Sequence, residues 1–261
     1  NYRLICKQIK KFKPEIFIIF NTKVFEKTKK KFKNNKVKIV QNINIKKNIL
    51  KKSDVTIAAI PGIAGLKPTI ELTKLSKKIL IANKESIICG WDLIKKNAIK
   101  YNTKVIPVDS EHFSIQKLLE NQKINNVKKI YITASGGPFL NHKISKLKTV
   151  KPHDAIKHPK WKMGKKISID SATLMNKILE VIEAHKLFNI DIKKFEIVIH
   201  PESLIHAIVE FKNGLYKFIY HETSMLIPLA NAIFDDNIDI DYFLKSKLKS
   251  KRSIFFQSLN F

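Results

Sequence analysis

The chain has 261 residues, enough for a sizeable core and two domains, and 44% of them are hydrophobic, which excludes a disordered polymer. Lysine and arginine total 50 against 22 acidic residues, giving a formal charge of +28. That raises nucleic acid as a partner, but the lysines are spread over every segment, arginine occurs only at Arg3 and Arg252, and no nucleic-acid module is present, so no specific nucleic acid is expected.

Residues 1–53 alternate basic helical stretches with short apolar runs, and Pro14 to Phe20 and Lys36 to Val40 read as buried strands. The two cysteines, Cys6 and Cys89, give no disulfide framework. No apolar run approaches the roughly 20 residues of a membrane span, and no signal peptide opens the chain. A cytoplasmic, bacterial-type setting is the default. The first residue is Asn1 rather than Met, which suggests a truncated start, and a plastid-type organelle is the alternative if a transit peptide precedes it.

From Asp54 the rhythm is regular. Val55 to Ile60 is a strand, Leu66 to Lys78 a helix, Ile79 to Ala82 a strand, Trp91 to Lys100 a helix and Lys104 to Val108 a strand. Alternation of this kind predicts a parallel sheet with ligands at the carboxyl ends of its strands, where Asn83, Lys84, Glu85, Asp109 and Glu111 fall. Asp109 and Glu111, two apart in an extended segment, would point the same way and share a hard cation, with a solvated strand end as the plain alternative.

Lys129 to Thr133 reads as a strand running into Ser135-Gly136-Gly137, which has the form of an anion nest or of an ordinary turn. In the polar stretch that follows, His158 is a candidate phosphate donor, and Trp161 and Met163 suggest a flap that closes over a ligand. Lys166 to Ile169 reads as a short strand turning into a helix capped by Asp170 and Ser171. The spacing of Met175, Ile178, Leu179 and Ile182 predicts a buried face, leaving Asn176, Lys177 and Glu180 together on the other. Glu180 could complete a three-carboxylate site, which needs a cation such as Mg²⁺ or Mn²⁺ to neutralise it. Beyond it, Phe195 to His200 is a strand, Asn213-Gly214 joins a hairpin, and Leu226 to Phe234 is a helix. His200, His206 and His221 read as strand-packed histidines. The second half therefore looks α+β.

Seven segments in order carry a resemblance: 59–66 (Ala-Ile-Pro-Gly-Ile-Ala-Gly-Leu), 82–86 (Ala-Asn-Lys-Glu-Ser), 107–112 (Pro-Val-Asp-Ser-Glu-His), 134–139 (Ala-Ser-Gly-Gly-Pro-Phe), 158–168, 170–177 and 199–203. The chain resembles the 1-deoxy-D-xylulose 5-phosphate reductoisomerase family, strongly over 50–215. The resemblance implies an α/β fold: the remainder of a Rossmann-like doubly wound parallel sheet, then an α+β catalytic domain with a mobile flap loop. It implies domains at 1–108 (partial NADPH-binding) and 109–235 (catalytic), with 236–261 opening a linker to a helical domain. The implied activity is the rearrangement of 1-deoxy-D-xylulose 5-phosphate and its reduction by NADPH to 2-C-methyl-D-erythritol 4-phosphate, in a homodimer. Asp109, Glu111 and Glu180 match the ligands of Mg²⁺, Mn²⁺ or Co²⁺. Lys84, Ser110 and Glu111 match groups on the substrate backbone, Ser135, Ser171, Asn176 and Lys177 the phosphate-binding set, and His158 a contact on the flap. Asn83, Glu85 and Gly164 match NADPH positions.

Four departures stand out. No glycine precedes Gly62, so the family's first Gly-rich turn has no counterpart, and the chain ends at Phe261, before the helical domain. The segment His221 to Pro228 lacks the family's usual Asp and Arg, and Glu202 replaces the commoner Gln. The alternative to a catalytic core is therefore a remnant that binds phosphosugar and metal without reducing anything.

Overall fold

The computed structural model describes residues 1–41, 52–156 and 164–240. His158, Trp161, Met163 and the expected linker beyond residue 240 lie outside them. The chain divides into two compact units, Asn1–Lys52 and Ser53–Phe261.

In the first unit, helix α1 (Tyr2–Phe12) leads to β1 (Ile16–Ile18), and α2 (Thr22–Lys31) to β2 (Lys38–Val40). Asn1 and Asn21 start the helices by accepting the Leu4 and Val24 amides on their side chains. The strands pair in parallel, Ile16 opposite Lys38, over a core of Cys6, Ile9, Ile19, Phe25, Phe32 and Ile39. Three lysines end α2, where the helix dipole favours positive charge.

The second unit opens with the expected alternation: β3 (Ser53–Ala58), α3 (Leu66–Thr73), β4 (Ser76–Ile81), α4 (Lys84–Tyr101) and β5 (Lys104–Pro107). The strands lie in the order β3-β4-β5, all parallel. The helix expected from Trp91 begins a full two turns earlier, at Lys84, because Asn83 caps it by accepting the Ser86 amide; Gly90 breaks its regularity at φ −139°.

Then come α5 (Ser110–Leu119), β6 (Val127–Ala134), the short α6 (Ile144–Leu147) and α7 (Pro152–Ala155), α8 (Lys165–Ala172) and α9 (Met175–Phe188). The chain continues through β7 (Phe195–Ile199), β8 (Ile205–Phe211), β9 (Tyr216–Tyr220) and α10 (Leu226–Phe234). This second sheet has the order β7-β6-β8-β9, with β7 parallel to β6 and the others antiparallel. Asn213-Gly214 turns the β8–β9 hairpin with Gly214 at φ +83°. Ile130, Ile132, Val209 and Phe211 pack against Ile115, Leu118 and Ala184 of α5 and α9. The sequence-based boundary at 108/109 falls inside this unit, between the end of β5 and the start of β6. An α/β architecture with parallel sheets and a mixed sheet matches the fold class read from sequence.

Two local expectations fail. Lys166 to Ile169 is helix, not strand, and Asp170 and Ser171 sit in the last turn of α8 rather than capping α9. The Ile167–Ser168–Ile169 alternation mimics a strand, yet both isoleucines are over one-third exposed, while Ser168 is buried with its hydroxyl on the Gly164 carbonyl. Leu174, at φ +58°, breaks the chain between α8 and α9. The second failure is the buried face of α9. It is Asn176, Lys177, Glu180, Glu183 and Ala184 that are buried, whereas Met175 and Ile178 are 46% and 48% exposed. Periodicity locates two faces of a helix but assumes that the apolar one turns inward, and here the ionic face does.

Candidate active site

The carboxyl ends of β4, β5 and β6 deliver Lys84, Asp109 and Ser135 toward the buried face of α9. Asp109 is not in an extended run with Glu111; it stands at the N-cap of α5, and Ser110 and Glu111 form the first turn. The carboxylates converge all the same: ligand oxygens of Asp109, Glu111 and Glu180 lie within 4.8 Å of one another. Glu180 is 1% exposed.

Two ammonium groups bridge these carboxylates. Lys84 Nζ is 3.2 Å from Asp109 Oδ2 and 3.2 Å from Glu180 Oε1, and donates to Asn176 Oδ1 at 2.8 Å. Lys177 Nζ bonds Glu111 and is 2.6 Å from Glu180 Oε2, while the Asn176 amide donates to Glu180. Ser110 Oγ donates to Glu111 Oε2 at 2.6 Å.

Beneath them lie two residues that the sequence reading missed, His112 and Glu183, respectively 0% and 1% exposed. His112 Nε2 is 2.9 Å from the Glu180 carbonyl, and a carbonyl only accepts, so this nitrogen carries the proton. Its Nδ1 faces Glu183 at 3.6 Å. Glu183 follows Glu180 by three residues and Asn176 by seven, so the helical repeat that grouped Asn176 with Glu180 also contained it.

The electrostatics follow from burial. Asp109 is pushed up by burial, but Lys84 first and then His112 outweigh it and hold the carboxyl well below its usual range. Burial and the Glu180 carboxylate raise Glu111 to about 7 against the pull of Lys177. Burial raises Glu183 to about 7 as well, with His112 pulling the other way. Burial lowers Lys177 and the Glu111 and Glu180 carboxylates more than reverse it, so the ammonium stays charged. With Glu111 ionised, Asp109, Glu111 and Glu180 set three carboxylates against two ammoniums, an excess that a hard divalent cation on oxygen ligands would neutralise. The donor set fits such an ion.

A cavity of about 300 Å³ opens over this cluster, and Ser135, Ser171, Ser203 and His206 line it along with Lys84 and Lys177. Gly136 and Gly137 have φ of +84° and +68°, a turn open to glycine, and the Gly137 amide donates to Ser135 Oγ. A Cβ on Gly137 would come within 3.0 Å of the Ser171 carbonyl, so this turn presses directly on α8. The structure therefore gathers Ser135, Ser171, Asn176 and Lys177 around one cavity, although Asn176 and Lys177 bond carboxylates there. His206 stacks on His221 with ring centroids 4.0 Å apart, and burial first, then His221 and Lys177, hold it well below the ordinary histidine range.

The remaining candidates sit on the adjoining rim. The Asn83 amide bonds the Ile60 and Gly62 carbonyls, so it fixes the loop after β3, where Gly62 has φ +71°. Gly65 packs against the same amide: a Cβ would lie 2.3 Å from the Ile60 carbonyl. Lys166, two residues into α8, is 3.6 Å from Glu85, which brings Glu85 and Gly164, the N-cap of α8, to one edge. No helix among the described residues is long and apolar enough to cross a membrane.

Residues 105–188 match the model of the 1-deoxy-D-xylulose 5-phosphate reductoisomerase C-terminal domain, and residues 1–90 that of 1-deoxy-D-xylulose 5-phosphate reductoisomerase. The reductoisomerase of Pelagibacter ubique (strain HTCC1062) is 52% identical over 250 residues, covering 95% of this chain and 64% of the relative. That of Wolbachia sp. subsp. Drosophila simulans (strain wRi) is 43% identical over 234 residues, covering 89% of this chain and 60% of the relative. The chain thus spans under two thirds of the length of these relatives. Among solved structures, a DOX-P reductoisomerase in complex with NADPH, fosmidomycin and magnesium superposes with a TM-score of 0.88 at 30% identity, over 99% of this chain and 67% of that one. The Zymomonas mobilis enzyme in complex with NADPH gives 0.83 at 31% identity, over 100% of this chain and 68% of that one. With a carboxylate cluster, a double-glycine turn and a parallel-sheet rim in the places the motifs lead to, the chain belongs to the 1-deoxy-D-xylulose 5-phosphate reductoisomerase family.

Proposed function

We propose that this chain carries the substrate- and cation-binding core of an enzyme that converts 1-deoxy-D-xylulose 5-phosphate to 2-C-methyl-D-erythritol 4-phosphate with NADPH. The observation that carries the reading is the buried set of Asp109, Glu111 and Glu180 beside a cavity lined by Ser135, Ser171 and Lys177. When bound, the divalent cation supplies Lewis acidity to adjacent substrate oxygens and NADPH supplies hydride.

The chain's own residues do the positioning. Asp109, Glu111 and Glu180 hold the cation. Lys84, gripped by Asp109 and Glu180, and Ser110 donate hydrogen bonds to the ketone and hydroxyl oxygens. Ser135, Ser171, Asn176 and Lys177 anchor the phosphate, whose binding energy fixes the distant carbons in register. His158 adds a donor from the flap segment, and Asn83, Glu85 and Gly164 line the cofactor edge. A cytosolic setting suits the free Cys6 and Cys89.

Calorimetric titration with 1-deoxy-D-xylulose 5-phosphate, with and without Mn²⁺, tests the reading. Saturable binding that needs the cation is expected, and Asp109→Asn should weaken it at least 100-fold, a loss of about 2.7 kcal/mol. Binding that ignores both cation and substitution overturns it.

The homodimer is part of the same proposal. Among the described residues strand β9 ends the mixed sheet, and Tyr216, Phe218 and Tyr220 are 55%, 52% and 43% exposed at alternate positions, an aromatic stripe on the strand that no described strand pairs with on its outer side. In sedimentation velocity the chain is expected to run as a dimer and Phe218→Lys as a monomer. A wild-type monomer at micromolar concentration ends the idea.

A further inference from the structure

We infer that Ser203 is an additional ligand for the phosphate group, contributed by the turn between β7 and β8. The inference rests on reading the cavity as a sugar-phosphate site. Ser203 has φ +54°, a left-handed conformation that glycine adopts freely and a residue with a Cβ adopts under strain. It is 6% exposed, and its buried hydroxyl has no hydrogen-bond partner among the described residues. A strained backbone and an unpaired buried hydroxyl at one residue are both unfavourable, and glycine would avoid both. Features of this kind persist where the surroundings over-determine them, and they gather at ligand sites.

The placement supplies the ligand. The His200 amide donates to the Ala134 carbonyl at 2.8 Å, so the turn that carries Ser203 starts beside the Ser135-Gly136-Gly137 turn. On its other side, Thr133 Oγ1 donates to the Ile205 carbonyl at 2.6 Å and pins the start of β8 to the end of β6. Ser203 lines the same cavity as Ser135, Ser171 and Lys177. Serine moves among three staggered rotamers without any backbone change, so the hydroxyl can turn to a phosphate oxygen that arrives there. The chemical class is a phosphate monoester or phosphonate, whose acceptor oxygens would meet the Ser135, Ser171 and Ser203 hydroxyls and the Lys177 ammonium.

The test compares wild type with Ser203→Ala and Ser203→Gly by calorimetry and thermal melting. The probes are 1-deoxy-D-xylulose 5-phosphate with Mg²⁺, and inorganic phosphate alone. Both variants are expected to bind the sugar phosphate roughly tenfold more weakly, with a parallel loss for inorganic phosphate. The melting temperature of the Ala variant should equal or exceed that of wild type, because removing an unpaired hydroxyl leaves nothing unsatisfied. Unchanged affinity in both variants overturns the inference while leaving the sugar-phosphate reading intact. Weaker binding accompanied by a lower melting temperature also overturns it, since the hydroxyl would then be structural. If wild type binds neither probe, the reading of the cavity fails and the inference fails with it.

Discussion

Replacing Lys177 by Met is expected to destabilise the cation-free chain at pH 8 by about 3 kcal/mol, and saturating Mg²⁺ is expected to restore most of the loss. Lys177 is the ammonium shared by Glu111 and Glu180, and all three side chains are at least nine-tenths buried. Methionine fills a similar volume but leaves two buried carboxylates facing each other. A divalent cation on the same oxygens replaces the missing charge. At 2–4 °C per kcal/mol for a chain of this size, the melting temperature should fall by roughly 10 °C and recover with the ion.

The same geometry links the two halves of the site. A cation that takes Glu111 and Glu180 displaces the Lys177 ammonium from them, and the cavity wall with Ser135 and Ser171 is where it can go. Lys177 then meets a phosphate instead of carboxylates, so cation and phosphate should bind with positive coupling, each strengthening the other. In Lys177→Met the sugar phosphate should bind about 100-fold more weakly even with the cation present, and the coupling should vanish. A variant as stable as wild type without Mg²⁺ would show that Lys177 is not what neutralises the pair.

Much of this was legible in the sequence where chemistry and local pattern agree. The alternation from Val55 to Val108 gave a parallel sheet and put Lys84 and Asp109 on its rim, because strands and helices of ordinary length each bury an apolar face. Asn213-Gly214 gave the hairpin because only a turn with positive φ closes it. The reading broke down where the protein buries charge. The amphipathic pattern of α9 is inverted, so Met175 and Ile178 went to the wrong side, and Ile167-Ser168-Ile169 alternates like a strand while lying in a helix. His112 and Glu183 escaped notice for a related reason. Their role depends on packing against the Glu180 carbonyl and each other, contacts between α5 and α9 that no local pattern encodes.

Buried charge also sets the pH dependence. Glu111 and Glu183 have folded-state values of about 7, above their ordinary 4.5. Between about pH 4.5 and 7 the folded chain therefore binds protons that the unfolded chain has released. Their stabilising contribution is complete below about 4.5 and is lost as pH rises through 7, about 3 kcal/mol for each group. His112 acts in the same direction: the Glu183 and Asp109 carboxylates raise it despite burial, so its contribution also fades with rising pH. Asp109 is opposite in sign. Held low by Lys84, it stabilises above about pH 3.8 and gives way only as pH falls further, outside this window. The cation-free chain should consequently be less stable at pH 8 than at pH 5.5. The formal charge of +28 works against this, because lower pH adds positive charge to an already repelling surface. The informative quantity is the difference between wild type and Glu183→Gln, which removes one raised carboxyl and keeps Asp109, Glu111 and Glu180. Glu183→Gln should flatten the pH slope and raise stability at pH 8. Mg²⁺ should compete with protons for the same oxygens. It binds ionised carboxylates, so its affinity should fall as pH drops through 7, approaching tenfold per pH unit below about 6 as Glu111 takes up its proton, and binding at pH 6.5 should release about three-quarters of a proton. Calorimetry in two buffers of different ionisation enthalpy measures that proton directly, and a cation affinity that stays flat from pH 5.5 to 8 would contradict the assignment of Glu111 as a ligand.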